Sequence, residues 1–280
     1  MEEREEHDLG LSHDLPKILG RRGLLGLFGV AGLATVAVAC GTDDPATVSS
    51  QTRPPSGGGG APMGGDSSVE VADGEIPEET AGPYPGDGSN GVNVLAESGV
   101  VRSDLTTSFG DASGVAEGVP VTIRLKVYDL EGDDVTALSG AAVYLWHCNR
   151  DGQYSMYDEE IAEENYLRGV QETDAEGGVE FTSIFPACYD GRWPHMHFEV
   201  YESLDSATSY TNKLRTSQLA LPEDVCADVY ATAGYETSVD HLSRVSLDTD
   251  NVFSDGHSLQ LATVTGSVAD GYTISLTIPV

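Results

Sequence analysis

Two histidines separated by a single residue are the part of this sequence best suited to chemistry. His195 and His197 lie within residues 191–200, a stretch that is predicted to form a strand. Side chains at positions i and i+2 of a strand point to the same face, so both imidazoles can bind one metal ion. Surface or hydrogen-bonded structural histidines show the same spacing, and the pair alone leaves both interpretations open.

Two tyrosines strengthen the metal interpretation. Tyr189 lies six residues before His195, and Tyr154 follows the turn signal Asp151-Gly152. Phenolate oxygens are hard ligands and imidazole nitrogens are borderline, and a set that combines them suits ferric iron better than zinc or copper(I). Without a wider pattern, a tyrosine after a turn is ordinarily an amphipathic surface residue.

That wider pattern is a resemblance to the intradiol ring-cleavage dioxygenases, the family of the catechol 1,2- and protocatechuate 3,4-dioxygenases. Residues 146–155, 166–174 and 188–198 carry it, and residues 79–84 are similar to a segment near the start of the family's domain. The similar stretches occur in the family's order between residue 79 and the C-terminus. The spaced set of two tyrosines and a His-x-His pair is its most specific part.

The resemblance implies a fold, a cofactor and a reaction. It implies one Fe(3+) ion and a small aromatic diol that is cleaved with O2 between its two hydroxylated carbons, giving a cis,cis-muconate-type diacid. The implied metal ligands are Tyr154, Tyr189, His195 and His197.

Three residues are implied to take part in catalysis. Tyr189 would leave the metal and accept a substrate proton. Arg192 would stabilise negative charge on the ring, since a guanidinium keeps its proton at any working pH. Gln218 resembles an active-site glutamine of the family, although the loop before it is longer here.

Two neighbouring residues are predicted to be structural. His147 follows Trp146 at the end of a predicted strand and is expected to be a hydrogen-bonded histidine rather than a fifth ligand. Arg168 matches a family position that we expect to be a buried ion-pair partner.

The alternative to an enzyme is a non-catalytic exported β-sandwich that binds a metal or a carbohydrate.

Alternating apolar and polar residues dominate the C-terminal two thirds of the chain. The pattern is clear in residues 121–127, 179–185 and 274–278, with glycine-containing turn signals between them. Many short strands at this spacing predict a mostly β fold, an antiparallel β-sandwich with a few short helices, over residues 79–280. Short helices are predicted at residues 222–231 and 235–245.

The N-terminus is predicted to be an export leader. In residues 1–40, Arg21-Arg22 precede an apolar run that is too short to span a bilayer and ends in small residues, as in twin-arginine signals. Cys40 follows in a lipobox-like position, so a lipid-anchored surface protein and a freely secreted protein are both open. Residues 41–78 are rich in Gly, Ser and Pro and are expected to be a disordered linker.

Net charge bears on which partners the chain can bind, and cysteine content bears on which disulfides it can form. The formal net charge of −32 makes nucleic acid an unlikely partner and fits a solvated acidic surface. Export would permit one disulfide among Cys148, Cys188 and Cys226, and of the three pairings we favour Cys188–Cys226. The sequence does not decide the oligomeric state.

Overall fold

The structure is a computed structural model, and it describes residues 74–131 and 134–280. The predicted leader (residues 1–40), including Cys40, lies outside the described residues, and so does most of the predicted linker. Within the described ranges, no helix combines the length and the apolar character needed to cross a membrane.

The described chain is built mainly of strands. They are β1 (Pro120–Glu131), β2 (Asp134–Ala137), β3 (Ala142–Trp146), β4 (Arg168–Glu172), β5 (Gly178–Ile184), β6 (His195–Tyr201), β7 (Lys213–Ala220), β8 (Thr263–Ser267) and β9 (Gly271–Pro279). Two short α-helices, α1 (Glu223–Tyr230) and α2 (Glu236–Leu242), follow β7 in the chain.

The strands form two sheets, which confirms the predicted mostly β sandwich. One sheet has the order β2-β1-β9-β8, with β5 also paired to β1, and the other has the order β4-β3-β6-β7. All pairs are antiparallel except β1 and β9, which run parallel. The final strand therefore packs beside the first one, and the sheet is mixed rather than purely antiparallel.

The apolar core lies between the sheets and is formed by the alternating residues that the sequence singles out. Ile123 and Leu125 of β1 share one buried cluster with Met196, Phe198 and Val200 of β6. Since successive side chains of a strand point to opposite faces, this packing directs the histidines of β6 away from the core.

The face of β6 that carries the histidines is buried as well, because an N-terminal segment covers it. All seven residues of β6 are buried. The covering segment is packed from its first residues, since Ile76 is fully buried and its N–H donates to the carbonyl of Pro279 at 2.8 Å. The packed chain thus starts before residue 79, where the domain is predicted to begin.

Helix α1 lies close to its predicted position. Pro222 is its N-cap residue, and the carboxylates of Glu223 and Asp224 occupy the first turn, where they interact favourably with the helix dipole. Cys226 and Val229, three residues apart, are buried on the face that packs against the core.

The predicted disulfide is wrong for the described residues, in which Cys148, Cys188 and Cys226 are all buried free thiols. The Sγ of Cys148 donates to the carbonyl of Ala187 at 3.7 Å, and the Sγ of Cys188 donates to the carbonyl of Arg192 at 3.4 Å. Burial raises the pKa of both thiols to about 12. The three side chains act as small apolar residues of the core, a common role for buried cysteine.

Candidate metal centre

The pairing register of the second sheet sets the positions of the two central histidines. His197 of β6 lies opposite Trp146 of β3 on one side and opposite Gln218 of β7 on the other. His195 begins β6, two residues earlier on the same face. Both imidazoles are therefore carried by the first residues of an inner strand, which is a rigid support.

The two tyrosines come from loops at the same end of this sheet. Tyr154 follows β3, and Tyr189 precedes β6. Gly152 lets these loops approach closely, since a Cβ at this position would lie 3.2 Å from the Cβ of Tyr189. The φ of Gly152 is also +85°, in the region that favours glycine.

Four side-chain atoms converge at the end of the sheet. The Oη atoms of Tyr154 and Tyr189 are 3.4 Å apart, and the Tyr189 Oη is 3.1 Å from the Nε2 of His195. The Nε2 atoms of His195 and His197 are 3.1 Å apart. The structure thus brings together all four of the residues that the sequence predicts as metal ligands.

The protonation states of the histidines fit a metal centre. Burial lowers the pKa of both His195 and His197 well below the usual value, so both are neutral and each keeps a nitrogen lone pair for a metal. The Nδ1–H of His195 donates to the carbonyl of Trp193 at 2.5 Å. The lone pair of this imidazole is therefore on Nε2, the atom that faces the other three ligands.

The tyrosines require a nearby cation to ionise. Burial raises the pKa of Tyr189 to about 12 and that of Tyr154 well above its usual value. A highly charged cation at the convergence point would offset this burial cost, and ferric iron has the affinity for oxygen ligands that two phenols need. Elsewhere in the described chain, no group of three or more His, Cys, Asp or Glu side chains is arranged to hold a metal.

His197 is oriented by packing rather than by a second hydrogen bond. Its Nδ1 is buried without a hydrogen-bond partner among the described residues. Its ring stacks on Trp146 with the centroids 4.9 Å apart and the planes 9° apart. Gly82 also passes close to this ring, since a Cβ at that position would lie 3.5 Å from the Cε1 of His197.

Arg192 and Gln218, the two further residues predicted to be catalytic, contact each other beside His195. The Nη2 of Arg192 donates to the Oε1 of Gln218 at 2.6 Å, and its Nη1 is 3.5 Å from the Nε2 of His195. The Nε2 of Gln218 donates to the carbonyl of Thr80 at 2.9 Å, which connects the pair to the covering segment. The structure places both residues at the site, and their roles stay predictions.

Asp250 holds Arg192 in place, and sequence reasoning missed it. Its Oδ2 accepts from the Nε of Arg192 at 3.0 Å and from the backbone N–H of Trp193 at 2.6 Å. The carboxylate is fully buried and lies 58 residues after its partner. No spacing pattern in the sequence identifies Asp250, because it reaches the site from a loop with several other acidic residues.

Tyr84 and Trp146 also contact the site, although the sequence did not predict a role for either residue. Tyr84 packs on Tyr154 with ring centroids 5.0 Å apart, and it closes one side of the ligand set. Both residues lie in stretches that carry the family resemblance, which is the signal that could have identified them.

His147 is structural, as predicted. Its Nδ1 is 2.8 Å from the carbonyl oxygen of Cys148, and its Nε2 is 2.7 Å from the Oγ of Ser183. Both ring nitrogens are therefore engaged away from the ligand set. Burial lowers its pKa to about 4, so it is neutral at physiological pH.

The expectation that Arg168 is an ion-pair partner is wrong in the described chain. Its buried guanidinium donates to the carbonyls of Tyr84, Pro85 and Ser155, each at 2.9 Å, and to the hydroxyl of Tyr144 at 3.1 Å. Several carbonyl dipoles replace the carboxylate, and they tie the covering segment to the sheet.

Comparison with known proteins gives partial matches. Residues 95–216 match a family model described as Dioxygenase. Catechol 1,2-dioxygenase 2 of Acinetobacter lwoffii is 36% identical over 76 residues, which cover 27% of this chain and 26% of that protein. Chlorocatechol 1,2-dioxygenase of Rhodococcus opacus is 28% identical over 93 residues, covering 29% of this chain and 36% of that protein. The chain thus matches only about a quarter to a third of the length of these relatives.

A solved structure shares the fold. An intradiol ring-cleavage dioxygenase from Tetranychus urticae superposes with a TM-score of 0.52 at 22% identity, covering 65% of this chain and 87% of that one. At 22% identity, this similarity shows a shared fold and nothing more.

Proposed function

We propose that this chain, which belongs to the intradiol ring-cleavage dioxygenase family, is a ferric-iron enzyme that cleaves catechol-type rings between their two hydroxylated carbons with O2. The product would be a cis,cis-muconate-type diacid. One observation carries the proposal, namely the convergence of two phenol oxygens and two imidazole nitrogens, in which each atom lies 3.1 to 3.4 Å from the next in the series Tyr154, Tyr189, His195 and His197.

The four converging residues would hold the iron: Tyr154, Tyr189, His195 and His197. When bound, a ferric ion supplies a Lewis acid that polarises a chelated diol. The remaining chemistry belongs to the chain. Trp146 and Tyr84 pack against the ligands and limit the access of water to them.

Tyr189 is the residue best placed to accept a substrate proton. It is partly exposed, whereas Tyr154 is only 2% exposed, so it is the tyrosine that an incoming diol meets. Burial raises the pKa of its phenol to about 12 when no cation is near, so a Tyr189 phenolate that moved away from the other ligands would take up a proton readily. Its position in a loop permits movement away from the other ligands.

Arg192 would stabilise negative charge on the bound diol. The carboxylate of Asp250 and the amide of Gln218 fix two of its nitrogens, and its Nη1 is directed at His195. A guanidinium held in this way is preorganised and needs no reorganisation as charge develops.

The arrangement does not favour the non-catalytic alternative. A carbohydrate-binding module presents aromatic rings on an exposed face, whereas here Tyr154 and Trp146 are buried against the histidines. A storage site for zinc or copper has no need of two phenols.

Export belongs to the proposal as well. Its support is the paired arginines, the apolar run and the small residues before Cys40. Mass spectrometry of the protein from its native host would test this point. A mature N-terminus at or near Cys40, with or without a diacylglycerol adduct, is expected, and an intact N-terminus would contradict it.

The enzymatic proposal is tested by loading the purified protein with iron and measuring O2 uptake with catechol, methylcatechols, hydroxyquinol and protocatechuate. We expect one iron per chain, visible absorption from phenolate-to-iron charge transfer, and uptake of one O2 per diol. A colourless iron-loaded protein, or the absence of uptake with every diol, would contradict the proposal.

A further inference from the structure

Side chains of the two helices hold the segment that leads to Tyr189. The hydroxyl of Tyr235, the N-cap residue of α2, donates to the carbonyl of Phe185 at 2.7 Å. The hydroxyl of Tyr230, the last residue of α1, donates to the carbonyl of Pro186 at 3.1 Å. Both tyrosines are almost fully buried, so these contacts lie inside the protein. The helical part of the chain thus fixes the backbone shortly before a predicted metal ligand.

Helix α2 holds the residue directly before Tyr189 by both of its backbone groups. The N–H of Cys188 donates to the Oγ of Ser238 at 3.1 Å, and the carbonyl of Cys188 accepts from the Nδ1–H of His241 at 2.8 Å. Ser238 and His241 are three residues apart, so they lie on the same face of the helix. Ser238 is fully buried and His241 is partly buried. A residue bound in this way to one helix has little freedom to shift.

The contacts that follow Cys188 are weaker. The backbone N–H of Arg192 donates to the carbonyl of Tyr189 at 3.3 Å. The Nη2 of Arg244 lies 3.6 Å from the Oδ1 of Asp190, and both side chains are exposed, so this pair contributes little. The backbone is therefore held by short, mostly buried contacts at Cys188 and by longer ones at the next two residues.

We propose that Ser238 and His241 are positioning residues for Tyr189. By fixing the backbone at Cys188, they direct the phenol at His195, whose Nε2 lies 3.1 Å from the Tyr189 Oη. The phenol can then leave and return by rotation of its own side chain. This inference rests on the proposed function, in which Tyr189 is the ligand that moves. Functional side chains need to be held to within about 0.5 Å, and a shift of Cys188 would carry the phenol with it.

The first measurement uses iron-free protein, so that it does not depend on the proposed activity. Amide hydrogen exchange of residues 186–192 is followed by mass spectrometry in the parent, in Ser238→Ala and in His241→Leu. We expect exchange in this segment to be about tenfold faster in Ser238→Ala, because local opening then breaks one hydrogen bond fewer. His241→Leu should accelerate exchange in the same segment.

The second measurement is the visible spectrum of the iron-loaded protein. Ser238→Ala and His241→Leu should each bind one iron but show a shifted phenolate-to-iron band, because Tyr189 is displaced. Catechol turnover should fall about tenfold in kcat with little change in KM, the usual size of an effect that acts through a metal ligand. His241→Asn keeps an N–H donor near the position of Nδ1 and should restore the parent band, which a purely structural role would not predict.

Ser243→Ala is the matched control. This serine is the C-cap residue of α2, and its Oγ donates to the carbonyl of Asp240 at 2.8 Å, within the helical segment rather than to the loop. Its removal should leave both the exchange of residues 186–192 and the visible band as they are in the parent.

The outcomes separate this inference from the function on which it rests. Parent-like exchange in Ser238→Ala and His241→Leu would overturn it, and so would faster exchange with an unchanged band; either result leaves the enzyme proposal standing. An iron-loaded parent without a visible band would overturn both. If Ser238→Ala does not fold, the two variants of His241 decide the question, since that side chain is only partly buried.

Discussion

The imidazole of His197 lies nearly parallel to the indole of Trp146, with the ring centroids 4.9 Å apart and the planes at 9°. The two residues are opposite each other on adjacent strands, β6 and β3. Trp146 stacks in turn on Tyr144, with a centroid distance of 4.9 Å. Because the Nδ1 of His197 has no hydrogen-bond partner in the described chain, this stack determines the plane of the ring.

Replacing the indole should therefore weaken metal binding without removing a ligand. We expect Trp146→Leu to bind iron about tenfold more weakly, a typical loss for a residue that orients a metal ligand. Trp146→Phe keeps a flat ring at the same place and should recover most of the affinity. Competition with a chelator, followed at the visible band, measures both. Equal affinities in the parent and the leucine variant would show that the stack does not orient His197.

The two buried histidines near the end of β3 should behave in opposite ways when truncated. His197→Ala removes a nitrogen from the ligand set and should lose both iron and colour. His147→Ala should keep both, since its ring nitrogens are engaged by the carbonyl of Cys148 and the hydroxyl of Ser183. Metal analysis and visible spectra of the two variants decide the assignment. Retention of iron by the first variant, or loss by the second, would reverse it.

The sequence predicts the histidine pair of the site well because its placement depends only on the alternation of side chains along one strand. The alternation of β6 alone places His195 and His197 on one face and Met196 and Phe198 on the other, as the structure shows. The period-2 pattern of β1 likewise predicts which residues form the core, since the buried set Val121, Ile123, Leu125 and Val127 is visible in the sequence.

The residues that surround the four converging side chains are held by contacts between distant parts of the chain, and no pattern within one segment of the sequence indicates such contacts. Asp250 reaches Arg192 across 58 residues, and Arg168 is satisfied by carbonyls more than 80 residues away, which composition cannot indicate. The disulfide prediction failed for a similar reason. Cysteine content and compartment permit a bond, but packing decides whether two thiols face each other or each fills a gap in the core.

His147 should make the stability of the protein depend on pH. Burial lowers its pKa from 6.5 to about 4, so the unfolded chain binds a proton more readily than the folded one. Its contribution to stability is complete above pH 6.5 and is lost as the pH falls towards 4. We expect the difference in unfolding free energy between the parent and His147→Gln to shrink by about 2 kcal/mol between pH 7.5 and 5. Urea unfolding at both pH values measures it, and a constant difference would contradict the prediction.

Arg168 should not tolerate replacement by lysine. Its guanidinium donates to several carbonyl and hydroxyl oxygens at once, and an ammonium group cannot reach them all. We expect Arg168→Lys to lower the unfolding free energy by about 3 kcal/mol, since buried acceptors lose their donors. Arg124→Lys is the control, because that exposed pair with Glu180 should change stability by less than about 1 kcal/mol. Equal midpoints in denaturant would show that the buried network is not needed.

Removing the hydroxyl of Tyr189 should spare iron binding and damage turnover. Tyr189→Phe leaves Tyr154, His195 and His197 in place, so the protein should still bind iron, with a shifted visible band because one phenolate is lost. Catechol cleavage should slow by about 10²- to 10⁴-fold, the usual contribution of a positioned base. Tyr157→Phe is the matched control, since its hydroxyl accepts from the N–H of Gly86 and donates to Asn90, away from the ligand set. If catechol changes the spectrum of Tyr189→Phe as it does in the parent and is cleaved at the same rate, Tyr189 is not the base.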